Sequence, residues 1–427
     1  MTVEQTTTRA DRAAPAAARQ HTLRERNLQL VARAIFDAPV PLSRADVAGA
    51  TGLTRATVST LVDALVAARL VAELPPVAAQ RAGRPGVPLA PAGRSVVGLG
   101  LEVNVDYLGV RVMDLTGAVV AQSVLEGSFH DSDPSVVLGR LGAIARDVVS
   151  GVVADGMVVA GARLAPPGLV DARTGRLEVA PNLGWSSLDP VPLLGLDALG
   201  RDPLGTDRPA PCGRPQVTVE VANEAKLAAL AELAGDVPPS FLYVSGDVGI
   251  GAAIVVDRRL FLGERGWTGE IGHVVVDPAG PRCSCGAYGC LEQYAGKEAV
   301  LRAAGLAMDA SVAALLDALR LDAVGTDAGA DADGPRAAIR RAGRALGSAL
   351  ADFVNLVGVD TVVLGGLFTD LLPWLRDDVV AVLSERVLAA PFAELDVRGA
   401  GAGDHAALSG GAREVLREVL AHPAAWV

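Results

Sequence analysis

Three of the four cysteines in this 427-residue chain, Cys283, Cys285 and Cys290, fall within eight residues, and nine residues separate Cys283 from His273. Side chains this closely spaced can meet at one point only if the backbone between them turns sharply. Gly280, Gly286 and Gly289 supply the freedom for such turns. One imidazole and three thiolates suit Zn²⁺ in a closed tetrahedral site, with no open position for substrate and no redox chemistry. The expected role is structural: a Cys₃His knuckle over residues 270–292 that ties a loop to the core. Four cysteines in so long a chain do not make a disulfide framework. The competing reading is a set of buried reduced thiols near an unrelated histidine, and the clustering speaks against it. Cys212 stands alone in a loop-like stretch and is read as incidental.

Two carboxylates flank the knuckle, Glu270 three residues before His273 and Glu292 two after Cys290. Folding the loop round an ion would fix both beside a single imidazole. Carboxylates held in this way are suited to hydrogen-bond the vicinal hydroxyls of a sugar. Each glutamate taken alone is more often a solvated surface charge.

The amino-terminal quarter has a different pattern. Residues 1–22 are rich in Ala, Thr and Arg without a period and read as a flexible tail. Over residues 23–92, Leu28, Val31 and Ile35 mark one helical face that Pro39 and Pro41 end. Ser43 with Asp46 forms a capping-box pattern for a short helix ending near Gly52. Thr54 can cap a third helix, whose Val58, Leu61, Val62 and Leu65 recur at helical spacing. Strand-like pieces at Leu70–Leu74 and Val87–Leu89 flank Gly83-Arg84-Pro85-Gly86. This succession is that of a winged helix-turn-helix, with Arg55, Ser59 and Thr60 on the groove-facing helix and Arg81 and Arg84 on the wing.

Charge is consistent with that placement. Residues 1–93 hold eleven Arg against seven Asp and Glu, a local balance of +4, whereas the whole chain carries −11. An acidic body excludes broad nucleic-acid binding, and a small basic module does not. The same helices could also form a docking bundle with a solvated polar face.

From about residue 93 to 427 the pattern is α/β. Val96–Leu101, Tyr107–Val112 and Ala118–Leu125 alternate like antiparallel strands, with a turn at Asp114–Gly117. A helix over Ser135–Val149 and a strand over Met157–Ala162 follow. Then come a helix Asn223–Ala234, a strand Phe241–Ser245, a glycine-rich hairpin to Val256, a helix Arg336–Val357 and a strand Thr361–Leu364. Residues 195–216 and 322–334 read as loops. Apolar runs are interrupted before the ~18 residues a membrane span needs, and the first residues lack an apolar signal core. A soluble, cytoplasmic protein without a membrane partner is expected.

The chain resembles the ROK family of repressors and sugar kinases over about residues 25–427. The resemblance rests on Glu270-x-Gly272-His273…Cys283-x-Cys285-Gly286-x-x-Gly289-Cys290-x-Glu292. Pro167–Asp171, Ala180–Trp185, Asn223-Glu224-Ala225 and Leu364-Gly365-Gly366 support it. It implies a two-lobed actin-like/hexokinase-like sugar-binding domain behind the helix-turn-helix. It also implies sugar contacts from Asn223, Glu224, Glu270, His273 and Glu292, with His273 giving one nitrogen to zinc and the other to sugar.

Two departures from the family's kinases matter. Glu224 stands where they carry the catalytic Asp, and an added methylene moves a carboxylate by about 1 Å or more, enough to cost ~10²-fold in rate. Glu102-Val103-Asn104-Val105-Asp106 replaces their first glycine-rich phosphate loop. The glycine-rich turn Ser245–Gly251 persists. The expectation is a sugar-responsive transcriptional regulator, most simply a repressor of carbohydrate uptake or catabolism genes, without kinase activity. It would bind operator DNA as a homodimer or homotetramer. The alternative is an ATP-dependent sugar kinase with a DNA-binding extension.

Overall fold

The structure, a computed structural model, describes residues 16–75, 86–196, 217–324 and 334–427, and these fall into two units. The first comprises the chain up to Val96 together with Arg417–Val427. Helix α1 (Ala16–Phe36) takes in the last seven residues of the stretch read as tail. It is followed by β1 (Leu42–Ser43), α2 (Arg44–Thr51), α3 (Arg55–Ala67), β2 (Val71–Glu73) and β3 (Pro88–Pro91).

The expected signals act as read. The Ser43 hydroxyl accepts from the Asp46 N–H, while the Asp46 carboxylate accepts from the Ser43 N–H at 2.9 Å. Gly52 takes the left-handed conformation (φ 71°) that ends α2, a region a side chain rarely adopts. The Thr54 hydroxyl accepts from the Thr57 N–H at the start of α3. Val58, Leu61, Val62 and Leu65 are buried, as are Leu28, Val31 and Ile35, and the three helices pack on one another. Periodicity gave no sign of β1, a two-residue strand that joins β3 and β2 in an antiparallel sheet of order β1-β3-β2. Arg44 pairs with both Asp63 and Glu73, tying α2 to α3 and β2. The turn Pro423–Ala425 lies against α1, although sequence patterning had assigned the carboxyl terminus to the second domain.

The second unit, Val97–Leu416 apart from 208–215, has two lobes. In the first, β4 (Val96–Val103), β5 (Tyr107–Asp114) and β6 (Val119–Glu126) form the expected antiparallel meander. Helix α4 (Pro134–Ala154) is followed by β7 (Val158–Ala165), a small sheet of β8 (Leu169–Val170), β9 (Leu177–Ala180) and β10 (Trp185–Leu188), helix α5 (Val191–Leu194) and β11 (Val219–Val221). The main sheet has the order β11-β7-β4-β5-β6.

The second lobe begins with α6 (Glu224–Glu232), then β12 (Phe241–Gly246), β13 (Ile250–Val256) and β14 (Arg259–Leu260). Next come α7 (Glu292–Ala295), α8 (Lys297–Ala303), α9 (Val312–Val324) and α10 (Pro335–Val357). Strand β15 (Thr361–Gly366), α11 (Leu367–Arg386), β16 (Asp396–Gly399) and α12 (Ala406–Ala421) complete the chain. The sheet order is β14-β13-β12-β15-β16, with β12, β15 and β16 parallel.

Each sheet has its own buried cluster: Leu99, Leu101, Val110, Leu138 and Leu141 in the first lobe, and Val244, Ile254, Leu346, Leu350 and Leu375 in the second. Close backbone approach fixes α12 on the first sheet, since a Cβ on Gly100 would fall 1.9 Å from the Leu408 carbonyl oxygen. The two-lobed α/β expectation holds. Asp322, read as the start of an acidic loop, instead closes α9 and accepts from the Arg336 N–H at 3.0 Å. Most of the 195–216 stretch, Cys212 included, lies outside the described residues. Among the described residues no helix is long and apolar enough to cross a membrane.

Candidate functional site

The knuckle forms as the spacing required. His273 ends a 3₁₀ turn over Ile271–His273, and Cys290 bridges antiparallel to Val275. Between them a tight turn is closed by Arg282 opposite Tyr288 and by the Cys283 N–H donating to the Ala287 carbonyl at 2.8 Å. Gly289 sits at φ 70°, and a Cβ there would lie 1.6 Å from the Asp277 carbonyl oxygen, so only glycine fits. The donor atoms of His273, Cys283, Cys285 and Cys290 all lie within 4.8 Å of one another. Cys285 Sγ stands 3.7 Å from Cys290 Sγ, and Cys283 Sγ 3.8 Å from His273 Nδ1. Nδ1 is therefore the nitrogen turned to the thiols, and His273 also lines a cavity beside the knuckle.

That cavity lies within the second unit and takes walls from both of its lobes. Asn223, Glu224, Glu270, His273 and Glu292, the five expected sugar contacts, all line it. Each is placed by a local device. Asn223 caps α6: its Oδ1 accepts from Ala225 N and Lys226 N, and its Nδ2 donates to the Gly168 carbonyl at 3.0 Å. Most of its amide is thus committed to holding Glu224 and the Pro167–Asp171 turn, leaving one N–H for a ligand. Glu270 follows Gly269, whose φ of 97° lets the chain pass under β13, where a Cβ would fall 2.0 Å from the Ala252 carbonyl oxygen. Glu292 opens α7 immediately after the knuckle.

Sequence reasoning missed Asn182 and Asp247 in this wall. Asn182 and Glu292 converge over Gly249, each with an atom 3.0 Å from where a Cβ would stand. Asn182 lies in the Ala180–Trp185 motif and Asp247 in the glycine-rich turn, so the motifs were visible. Which of their side chains faced the cavity was not.

Burial opposes the ionisation of several carboxyls in and beside this wall. Glu102, on β4, is 3% exposed; its Oε1 accepts from the Tyr107 hydroxyl at 2.7 Å, and its Oε2 has no hydrogen-bond partner. Burial, reinforced by nearby Asp247, pushes its carboxyl up to about 7. Burial and neighbouring Asp106 push Asp247 up to about 6, although Lys297 opposes the shift. Glu224 is raised well above the carboxylate range, first by burial and then by Glu102, Asp247 and Glu270. Lys297 Nζ pairs with Asp106 at 2.6 Å, so this nearby cation is already engaged. Like charges that cannot all ionise share protons instead.

Burial also raises Glu270, which buried Lys226 partly offsets, and raises Glu292 to about 7. On α3 of the first unit, Arg55 and Thr60 are exposed and Ser59 is half-buried. The Thr60 hydroxyl donates to the Ala56 carbonyl at 3.2 Å, which leaves its oxygen free to accept. Arg81 and Arg84 lie outside the described residues.

Comparison with known proteins agrees with both units. The xylose repressor of Bacillus spizizenii is 25% identical over 351 residues, spanning 81% of this chain and 84% of its own. A ROK family transcriptional regulator, a homologue of the Escherichia coli Mlc protein, superposes with a TM-score of 0.70 at 25% identity, over 94% of this chain and 97% of its own. The ROK hexokinase of Thermus thermophilus gives 0.57 at 26% identity. It is matched over 99% of its length and accounts for 76% of this chain. The larger unit thus has the hexokinase-like fold, preceded by a region that the regulator shares. The ROK family model matches residues 213–418 of the chain.

Proposed function

We propose that the chain is a sugar-responsive, DNA-binding transcriptional regulator, a repressor of carbohydrate uptake or catabolism genes. The observation that carries this reading is the helix-turn-helix unit. The solved regulator covers 94% of the chain, whereas the hexokinase covers 76%. Residues 23–92 form the DNA-binding domain, and residues 93–427 hold the effector. Arg55, Ser59 and Thr60 meet the operator from α3, with Arg81 and Arg84 reaching phosphate or minor groove from the wing. One such helix reads a single half-site, so two copies related by a dyad bind a pseudo-palindrome. The protein acts in the cytoplasm, where its DNA lies.

The donor set of the knuckle fits Zn²⁺: three sulfurs and an imidazole nitrogen close enough to share one ion. When bound, zinc supplies a structural anchor that fixes His273 and Glu292 at the cavity wall. Asn223 positions Glu224. Glu224, Glu270 and Glu292 accept from sugar hydroxyls, and His273 Nε2 completes the set. Sugar shifts the equilibrium between lobe arrangements only so far as it binds them unequally, and that difference alters DNA affinity.

The test is a mobility shift on DNA upstream of the chain's own coding sequence, with and without a panel of pentoses and hexoses. A specific shift, relieved by at least one sugar, is expected. Arg55→Ala should weaken the shift by about 10-fold, in line with the 1–3 kcal/mol of a good base contact. Absence of any specific shift removes the reading.

Kinase activity is lost, because Glu224 replaces the catalytic Asp and side chains over Glu102–Asp106 take the place of the phosphate loop's glycines. No ADP should form from ATP with any sugar of the panel, by the native chain or by Glu224→Asp. Turnover by either favours the kinase alternative.

A further inference from the structure

A second cavity, of about 290 Å³, shares Asn182, Val248 and Glu292 with the inner pocket as walls. Its outer wall comes from three places. His130 and Asp131 precede α4 in the first lobe, Ser284 belongs to the knuckle, and Gln293, Glu298 and Arg302 come from α7 and α8. Glu298 and Arg302 are four apart on α8 and so share a helix face. Neither side chain, nor that of Gln293, is engaged in a hydrogen bond or ion pair with another described residue. Asp131 holds a positive φ of 45°, a conformation uncommon for a residue with a side chain, at the edge of the first lobe.

The chemistry of this wall narrows the occupant. It has no Phe, Tyr or Trp on which a nucleobase could stack. Asp131, Glu292 and Glu298 outnumber the single guanidinium of Arg302, the wrong balance for a phosphate dianion. What remains is an alternation of amide, carboxylate, hydroxyl and guanidinium groups that matches the hydroxyls of a sugar ring. The inner pocket, at about 60 Å³, is the smaller of the two.

We propose that the effector is a disaccharide. Its first ring lies against Glu270, His273 and Glu292, and its second fills the outer cavity against Gln293, Glu298 and Arg302. The proposal rests on the sugar-sensor reading and adds the size of the ligand to it. A second ring that touches Asp131 on one lobe and Glu298 on the other binds best to the lobe arrangement that keeps both within reach. That gives the larger molecule a differential affinity with which to shift the equilibrium.

Calorimetry on the full chain decides the matter, with D-xylose and D-glucose compared with xylobiose, cellobiose and maltose. At least one disaccharide should bind about 10-fold or more tightly than its constituent monosaccharide, the increment expected from one or two added hydrogen bonds to charged groups. The double variant Glu298→Ala/Arg302→Ala should bring that disaccharide to the monosaccharide's level and leave monosaccharide affinity unchanged. If a monosaccharide binds as tightly as every disaccharide, or if the double variant weakens both alike, the outer cavity is not a sugar subsite and the sensor reading survives. If neither class binds, the sensor reading falls and the proposal falls with it.

Discussion

Replacing Cys285 by Ser is expected to strip the purified protein of zinc and to weaken sugar binding while leaving both lobes folded. Cys285 is the exposed member of the knuckle, so the substitution opens no hole in the core, unlike the same change at buried Cys283 or Cys290. Losing a mere outer partner of a metal ligand typically costs 10–100-fold in affinity, so losing a ligand should exceed ~100-fold. The structural consequence falls on two residues. His273 loses the ion that fixes its Nδ1. Glu292, two residues past Cys290 and with Oε1 4.0 Å from Cys283 Sγ, loses the clamp at the start of α7. Sugar affinity should therefore drop about 10-fold or more. Elemental analysis after gel filtration should give one zinc per native chain and almost none in the variant, with calorimetry reporting the sugar. Native protein stripped by a chelator should match the variant. Equal metal content and equal sugar affinity in the two proteins would show that the cysteines hold no ion.

The knuckle was legible in the sequence because its donor types, donor number and the glycines at its turns all appear in the linear chain. The helix-turn-helix was legible for a similar reason, since capping residues and the stripe Val58–Leu65 act within one or two turns. What could not be read was set by distant partners. Strand β1 is two residues long and exists because β3 pairs with it. The carboxyl-terminal residues join the first unit through contacts with α1. Asp247 and Glu102, far apart in the chain, become neighbours only when β4 and the turn after β12 face each other, and Asp247 then adds to the burial that raises the Glu102 carboxyl. The departure at Glu102–Asp106 was visible as a missing glycine pattern, whereas the upward shift of the Glu102 carboxyl to about 7 belongs to the folded protein alone.

Glu270→Ala should uncouple the sensor from its output, and its effects can be separated. A carboxylate accepting from sugar hydroxyls makes charged hydrogen bonds worth about 1.5–3 kcal/mol, so its loss should cost roughly 10- to 150-fold in sugar affinity. DNA affinity without sugar should not change, because Glu270 lies in the second unit and α3 in the first. The variant should then stay on its operator at sugar concentrations that release the native chain. Stability should change as well, because Lys226 is only 5% exposed and Glu270 is the negative charge that acts on it. Alanine removes the negative charge acting on that buried ammonium, and the melting temperature should fall. Glu270→Ala/Lys226→Met removes both charges and should regain most of the lost stability, since a hydrophobic residue of similar volume replaces the orphaned cation. It should not regain sugar affinity. Recovery of both properties together would mean that Glu270 serves only to neutralise Lys226, and the cavity would then need a different set of sugar ligands.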